Sequence, residues 1–530
     1  MLFTIINNIV VIVYLAGVCY LAYKGRRTVR LAPDHMIAGQ ERPTGVLGIS
    51  HGATLIGTTA IGFGGTAAMF GFSLVWVGFF SIVVGVFIAF VFCGKRTRLM
   101  GRALNAYTFP EVLGERYQSP FIQGFAGIVV FAFIPIYAAA ILIAMARLIE
   151  VSLHIPYLLA LAAFSLFLIV YFILGGFRGV KYTDAFHGIF MCVIMAIFCF
   201  WTYKLLGGVI PAHQALTTIA PLIPERLFEG GIQGWSAGLR FGSPVWWIAC
   251  SSIIYGVGIG SLVQPHLVVR FLKAQSEREL NWGVSVAGVF MLAMMGVPLI
   301  VGPLTNVIFV DRFGASSLAM AGGNVDKIIP IYITTIMPWW FGIFFLIGMM
   351  AATTAALSAL FRVGGTCLGR DFYAKGMRFH RWGEVFTSKL GITLTIIATI
   401  LWGLVLPPSS IVVATTFFFG LCAACFLPAY LLGIYWQGVT RQGAIASMVG
   451  GLGVHFIWII FFHYLGMTAF FGQANLVVYA DPTSWLWLLQ YVDPLVISLP
   501  VSFILCIWVS RKSKKIPKEH LNRCFKYITK

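Results

Sequence analysis

Residues 351–365 read AATTAALSALFRVGG, a set of small and hydroxyl-bearing side chains followed by one arginine, Arg362, in an otherwise almost continuously apolar stretch. A lone guanidinium in hydrocarbon costs about 3 kcal/mol or more, so it requires an acceptor, a wet cavity or a route to the interface. Because arginine stays protonated, it acts as a fixed cation and not as a proton carrier. A second polar group lies in GVLGISHGATLIGTTAIGFGGTAAMFGF, where His51, Thr54, Thr58 and Thr59 stand among eight glycines between Gly45 and Gly71. Histidine is the side chain suited to proton exchange near neutral pH, although a hydrogen-bonded structural histidine is the favoured reading of His51. A third group, SSIIYGVGIGSLVQPHLVVRFL, brings Tyr255, Gln264 and His266 together with Gly256, Gly258, Gly260 and Pro265, and Tyr137 stands in another apolar run. Hydroxyls, an amide and freed backbone carbonyls can bind a polar solute or a hard cation.

These groups need a frame, and composition defines it. Of 530 residues, 59% are hydrophobic and 10% charged. Soluble domains carry about 25% charged residues, so the chain reads as an all-α polytopic membrane protein. Its formal charge of +19 does not indicate nucleic-acid binding, because the basic residues sit in short loops between apolar spans, as topology demands. The ten cysteines imply no disulfide framework, and Cys422 with Cys425 reads as helix packing. HExxH and phosphate-loop patterns are absent from the sequence, and the seventeen carboxylates fall mostly in loops. No enzyme, metal centre or organic cofactor is expected.

A membrane helix needs about 20 apolar residues. Thirteen spans are predicted, at about 3–23, 46–71, 73–94, 120–149, 155–175, 184–206, 245–270, 280–306, 336–368, 387–406, 409–435, 442–465 and 484–510. The first lacks a preceding basic segment and is followed by Lys24, Arg26, Arg27 and Arg30, which reads as an anchor with its N-terminus outside. The loops holding KGRRTVR, GKRTRLMGR, RFLKAQSERE and RDFYAKGMRFHR, and the tail RKSKKIPKEHLNRCFKYITK, then fall inside. Few basic residues remain outside, chiefly Arg226, Arg240, Arg312 and Lys327. The location implied is the plasma membrane (the inner membrane in a Gram-negative cell), with the C-terminus cytoplasmic. The outside segments 206–243 and 310–335 read as short surface helices. Nothing in the sequence indicates an oligomeric state.

Spans two and seven are interrupted by glycine and proline at matching positions of two five-span blocks. Freed carbonyls are tolerated at membrane depth only where they line a cavity or are covered by protein. Paired interruption points to an inverted-repeat transporter, with close small-residue packing as the alternative for either span alone.

Three stretches carry a family resemblance: GGFRGVKYTDAFHGIFM (175–191), QPHLVVRFLKA (264–274) and LPAYLLGIYWQGVTRQGAIASMVGG (427–451). In order and spacing they resemble the sodium:solute symporter family, which includes proline, pantothenate, sialic acid and sugar symporters; one usually basic position reads Gly438. The resemblance implies a five-plus-five inverted-repeat (LeuT-like) core over 46–436, with repeat one at about 46–206 and repeat two at about 245–436. Residues 1–45 would hold the first helix and a basic cytoplasmic loop, 437–510 two C-terminal helices, and 511–530 a basic cytoplasmic tail. It implies symport of a small polar organic solute, a carboxylate or amino acid before a sugar, driven by Na+ or H+. Solute contacts would come from His51, Thr54, Thr58, Thr59, Tyr137, Tyr255 and Gln264.

In sodium-driven members, carbonyls of spans two and nine and two adjacent hydroxyls of span nine hold sodium. Carried over by that pattern, the carbonyls fall on Ala53, Ile56 and Ala352, and the hydroxyl positions on Ala355 and Ala356, while Leu55 replaces a carboxylate of some members. Either the register is shifted by two, so that Thr353 and Thr354 supply the hydroxyls, or sodium coupling is lost or replaced. Arg362 lies seven residues after Ala355, close to whole helical turns and roughly 10 Å along the axis, and helical side chains lean back toward the N-terminus. Its guanidinium can therefore stand in for the cation, or Arg362 can sit wetted at the inner mouth. An ion-independent facilitator and a non-transporting sensor on the same scaffold are the alternatives to a symporter.

Overall fold

The computed structural model describes residues 58–175, 181–274, 276–377, 383–463 and 485–528, together with Gly17 and Tyr20; side chains are described for these except 173–175, 181–187, 226, 485 and 486. His51, Ala53, Thr54 and Ile56, and all but two residues of the first expected span, lie outside the described residues.

Long apolar runs fold as helices because lipid offers backbone groups no partner, and the helix satisfies them internally. The first run, α1 (Thr59–Leu104), takes both the second and third expected spans. It turns at Gly71, whose φ of 75° is open to glycine at little cost. Then follow α2 (Pro120–Leu153), α3 (Tyr157–Gly175), α4 (Lys181–Leu205) and α5 (Pro244–Lys273). The second half holds α6 (Glu277–Phe313), α7 (Trp339–Gly376), α8 (Glu384–Val405), α9 (Ile411–Tyr435), α10 (Arg441–Phe461) and α11 (Pro494–Lys512). A short helix, α12 (Lys518–Phe525), ends the described chain. Ten of these runs are long and apolar enough to cross a membrane among the described residues. Helices α1 to α11 fall on expected spans two to thirteen.

Local sequence sets the ends. Ser119 caps α2 by accepting from the Ile122 amide, with Pro120 at the first helical position, and His154 closes the helix in the left-handed conformation. Helices α2 and α9 form the centre, with Tyr137, Phe418, Phe419 and Phe426 fully buried. Helices α3, α8, α10 and α11 turn Leu158, Leu166, Leu401, Val405, Ile457 and Ile504 outward. Such an apolar exterior suits lipid.

The basic loops gather at one end, here called the basic end. There Lys95 pairs with Glu277 at 2.9 Å, Arg98 donates to the Ala274 carbonyl, and Arg116 donates to the Gly433 carbonyl. Helix α12 docks on the same end through His520 at the Glu115 carbonyl and Arg523 at the Ala103 carbonyl. The far end carries the two long connections, which fold as short helices at Val209–Thr218, Glu225–Gly230, Ser317–Met320 and Ile328–Thr335. An isolated antiparallel bridge between Ile232 and Leu239 is the extended pairing found among the described residues.

Candidate functional site

Several helices depart from regular α geometry, and the irregular parts of two of them, α1 and α5, line one cavity. Helix α1 opens with a π-helical turn, Thr59–Phe63, in which the Gly64 amide reaches back to the Thr59 carbonyl. Helix α5 runs as π-helix over Ile248–Gly256, tightens to a 3-10 turn at Ser261–Val263, and breaks at Gln264, where the backbone is extended with φ −61° and ψ 122°. Pro265 then restarts the helix. Proline cannot donate to the preceding turn and forces the residue before it out of helical geometry, so the Gln264–Pro265 step causes the break.

Between these irregular turns lies a small cavity of about 10 Å³, room for about one water molecule, lined by Thr58, Thr59 and Phe63 of the α1 entry, Ser81, Gly85 and Val86 farther along α1, Val257, Ser261 and Leu267 of α5, Met291 and Met295 of α6, and Thr415 and Phe419 of α9. Five hydroxyls face an otherwise apolar wall, and none of the lining side chains is charged. Ser261 donates to the Gly258 carbonyl at 2.6 Å and Thr415 to the Ile411 carbonyl at 2.7 Å, so their lone pairs remain to accept. The buried Ser81 hydroxyl has no hydrogen-bond partner.

Beside the cavity, Tyr137 is fully buried and hydrogen-bonded to Thr58. Its ring stacks on Phe418 at 5.7 Å and on His266 at 5.7 Å. Gln264 donates to the Gly260 carbonyl at 3.1 Å, leaving its buried Oε1 without a partner, and neither ring nitrogen of His266 has one. Buried polar atoms in this condition are uncommon and mark places where water or a ligand belongs.

Of the solute residues expected from sequence, Thr58 and Thr59 line the cavity, and Tyr137 and Gln264 stand next to it. Tyr255 is half-buried in the π-helical part of α5 and is not among the lining residues. Ser81, Ser261, Thr415, Met291 and Met295 were not singled out by sequence. Their signal, a hydroxyl or thioether on an apolar span, is shared by many residues that only pack.

On α7, Ala352 and Ala356 are buried and Ala355 is half-buried. The Thr353 hydroxyl donates to the Met349 carbonyl and that of Thr354 to the Met350 carbonyl, each at 2.6 Å. Both hydroxyl hydrogens are thus spent within their own helix. Ala355, Ala359, Arg362 and Thr366 form one half-buried stripe, spaced by whole turns. Arg362 leans back along this stripe and donates its Nε–H to the Ser358 carbonyl at 3.0 Å.

Comparison with known proteins places this architecture. The chain is similar to the sodium/pantothenate symporter of Haemophilus influenzae, 27% identical over 378 residues, which covers 70% of this chain and 73% of that protein. It is similar to the sodium/proline symporter of Escherichia coli, 25% identical over 389 residues, covering 71% and 73%. Among solved structures, a Na+-coupled sialic acid symporter in a substrate-bound outward-open state superposes with a TM-score of 0.70 over 96% of this chain and 98% of that one, at 18% identity. Residues 35–451 match the model of the sodium:solute symporter family, and the chain belongs to that family.

Proposed function

We propose that this protein is a secondary symporter-type transporter for a small polar organic solute, a carboxylate or amino acid, in the plasma membrane. The observation that carries the reading is the break at Gln264 facing the π-helical entry of α1 across a hydroxyl-lined cavity. Irregular backbone exposes carbonyls and amides at the midpoint, where a solute can use them, and helices that bend there can expose the cavity to each side in turn. Relatives named for pantothenate, proline and sialic acid support the solute class. The five-plus-five inverted repeat over 46–436 belongs to this reading. So does the orientation, with the basic end cytoplasmic and the far end outside.

Coupling in this reading does not use the usual sodium cage. Ala355 and Ala356, the hydroxyl positions of the family pattern, offer no oxygen; Thr353 and Thr354 stand two residues earlier, their hydrogens given to the Met349 and Met350 carbonyls and their lone pairs left to accept. A hard cation needs several oxygen ligands, so losing two is a large change. Arg362 supplies a fixed positive charge on the same stripe, and protons or a downhill solute gradient supply the drive.

The test is uptake by purified protein in liposomes of pantothenate, proline and sialic acid, with sodium, with a pH gradient, and with neither. Accumulation of one solute independent of sodium is expected. Uptake that requires sodium and saturates in it overturns the coupling half of the reading. Counterflow without any gradient, and without accumulation under one, makes the protein a facilitator.

A further inference from the structure

At the far end, residues 324–327 are clasped to the start of α9. Val325 donates its amide to the Ser409 hydroxyl at 3.0 Å, and Asn324 Oδ1 accepts from the Asp326 amide at 3.1 Å and from Ser409 Oγ at 3.4 Å. Ser409 adopts a φ of 64°, left-handed for a residue with a side chain, which turns its neighbours' amides toward the clasp. The carboxyl group of Asp326, 1% exposed, sits against the amides of Ser409, Ser410 and Ile411. One carboxyl oxygen, Oδ2, has no hydrogen-bond partner.

The same segment lies on α1. Val325 presents its carbonyl to Gly65, and a Cβ at Gly64 would meet Ile329 at 3.0 Å. Residues 325–335 therefore pack against the start of α1 at Gly64 and Gly65. An opening of the far side at this place requires the segment to lift, and lifting carries Asp326 from a dry site into water.

We propose that Asp326 is a proton-binding latch: its carboxylate takes up a proton as residues 325–335 settle on α1 and the start of α9, and releases it when they lift. The charged and titratable groups facing Asp326 are few. From α2 come Arg147 and Glu150, from α3 Tyr157, and from its own segment Lys327; α1 and the first residues of α9 contribute none. Arg147 is engaged elsewhere, paired with Glu150 at 2.8 Å and lying 3.9 Å over the Tyr157 ring. Lys327 takes the other oxygen of Glu150 at 2.8 Å. One carboxylate thus serves both cations, and Asp326 feels the Arg147 charge first and the amides of Ile411, Ser410 and Ser409 after it.

Burial pushes the Asp326 carboxyl up to about 7, against the opposing pull of Arg147 and the amides of Ile411, Ser410 and Ser409. Exposed, it returns to the usual aspartate value of about 3.9. The seated form therefore binds the proton more tightly. Closure is independent of pH well above 7, strengthens about tenfold per unit as pH falls below it, and levels off near 4. Acid on the far side closes the mouth, and the proton taken up on closure returns to the far side when the segment lifts. This deepens the transporter reading by naming a pH control on its far-side mouth, but the pH-dependent seating does not depend on that reading.

The test is hydrogen–deuterium exchange on the full-length protein in lipid nanodiscs, reading peptides over 320–336 at about pH 8 and about pH 5.5, corrected for the intrinsic pH dependence of exchange. Protection of 325–335 is expected to rise on the order of 30-fold at the lower pH. Peptides of α10 should not change. The Asp326→Asn variant should be protected alike at both values. Flat protection in the wild type, or a surviving pH response in D326N, overturns the latch. Should D326N fail to fold, Glu150→Gln replaces it. Arg147 then has only Asp326 to pair with, so the response must persist with its midpoint moved to lower pH, and its disappearance assigns the proton to Glu150 and overturns the proposal. No solute enters this assay, so a silent uptake panel and a flat exchange profile are separate failures.

Discussion

Val325 rests its backbone carbonyl on the α carbon of Gly65, so residues 325–335 and the start of α1 touch backbone to backbone. Gly302 of α6 meets the Gly64 carbonyl on the other side in the same way. A methyl group at Gly65 has no space, and backbone atoms cannot yield as a side-chain tip can. The Gly65→Ala variant is expected to lose about 1–3 kcal/mol, the range for overpacking, and to lift residues 325–335. Thermal melting and exchange over 320–336 check this. Gly78→Ala, which meets only Leu299 Cδ1 at 3.1 Å, should be much milder. Equal effects from the two substitutions would show that the contact is not a seat.

At the opposite end, Asp371 is fully buried and its Oδ1 accepts from Thr108 Oγ1 at 2.8 Å and Gln123 Nε2 at 2.9 Å. Arg370 next to it pairs with Glu111 at 2.6 Å. This cluster fastens α7 to the start of α2 and to the short helix Phe109–Arg116. Replacing Asp371 with Ala strands two buried donors at about 1–3 kcal/mol each. The expected signature is non-additivity: Gln123→Ala introduced into D371A should cost less than it does in the wild type, because one stranded donor leaves with it. Melting temperatures of the four proteins decide the matter, and simple addition would argue against coupling.

How much of this was legible beforehand follows from what local sequence can encode. The apolar helices from α1 to α11 were, because bilayer thickness imposes a length that apolar runs must meet. The break at Gln264 was, because proline removes a donor wherever it stands. The π-helical entry at Thr59–Phe63 was visible only as an excess of glycine, which fits close packing equally well. The cavity wall was half visible: Thr58 and Thr59 sit in a conspicuous segment, whereas Ser81 and Thr415 are single hydroxyls on ordinary spans. The latch was not legible at all. Asp326 and Ser409 are distant in the chain, and only the fold brings the one onto the amides beside the other.

Sodium offers a direct check on the α7 stripe. A ligand at 100 times its Kd stabilises a protein by about 2.7 kcal/mol. The wild type, with alanines at 355 and 356, is expected to melt at the same temperature in sodium chloride and choline chloride. Replacing both alanines with serine returns two oxygens one turn beyond the Ala352 carbonyl, and the double variant is expected to gain a sodium-dependent rise. A sodium shift in the wild type would mean that Thr353 and Thr354 serve after all.

Arg362 is the remaining test, and its geometry separates the two roles open to it. The Nε–H bond to the Ser358 carbonyl turns the guanidinium back one helical turn, along the stripe that leads to Ala355. If the charge stands in for a bound cation, removing it leaves carbonyls facing one another with nothing between them, and free cations should compensate. Arg362→Met is then expected to melt lower than the wild type in choline and to recover part of the loss in sodium. Arg362→Lys should recover less than a true conservative change, because an ammonium lacks the Nε–H that holds the side chain in this direction. If Arg362 merely sits wetted at the mouth, both variants lose the same small amount in either salt, since water already screens the charge. Melting curves of three proteins in two salts distinguish these outcomes without any knowledge of the transported solute.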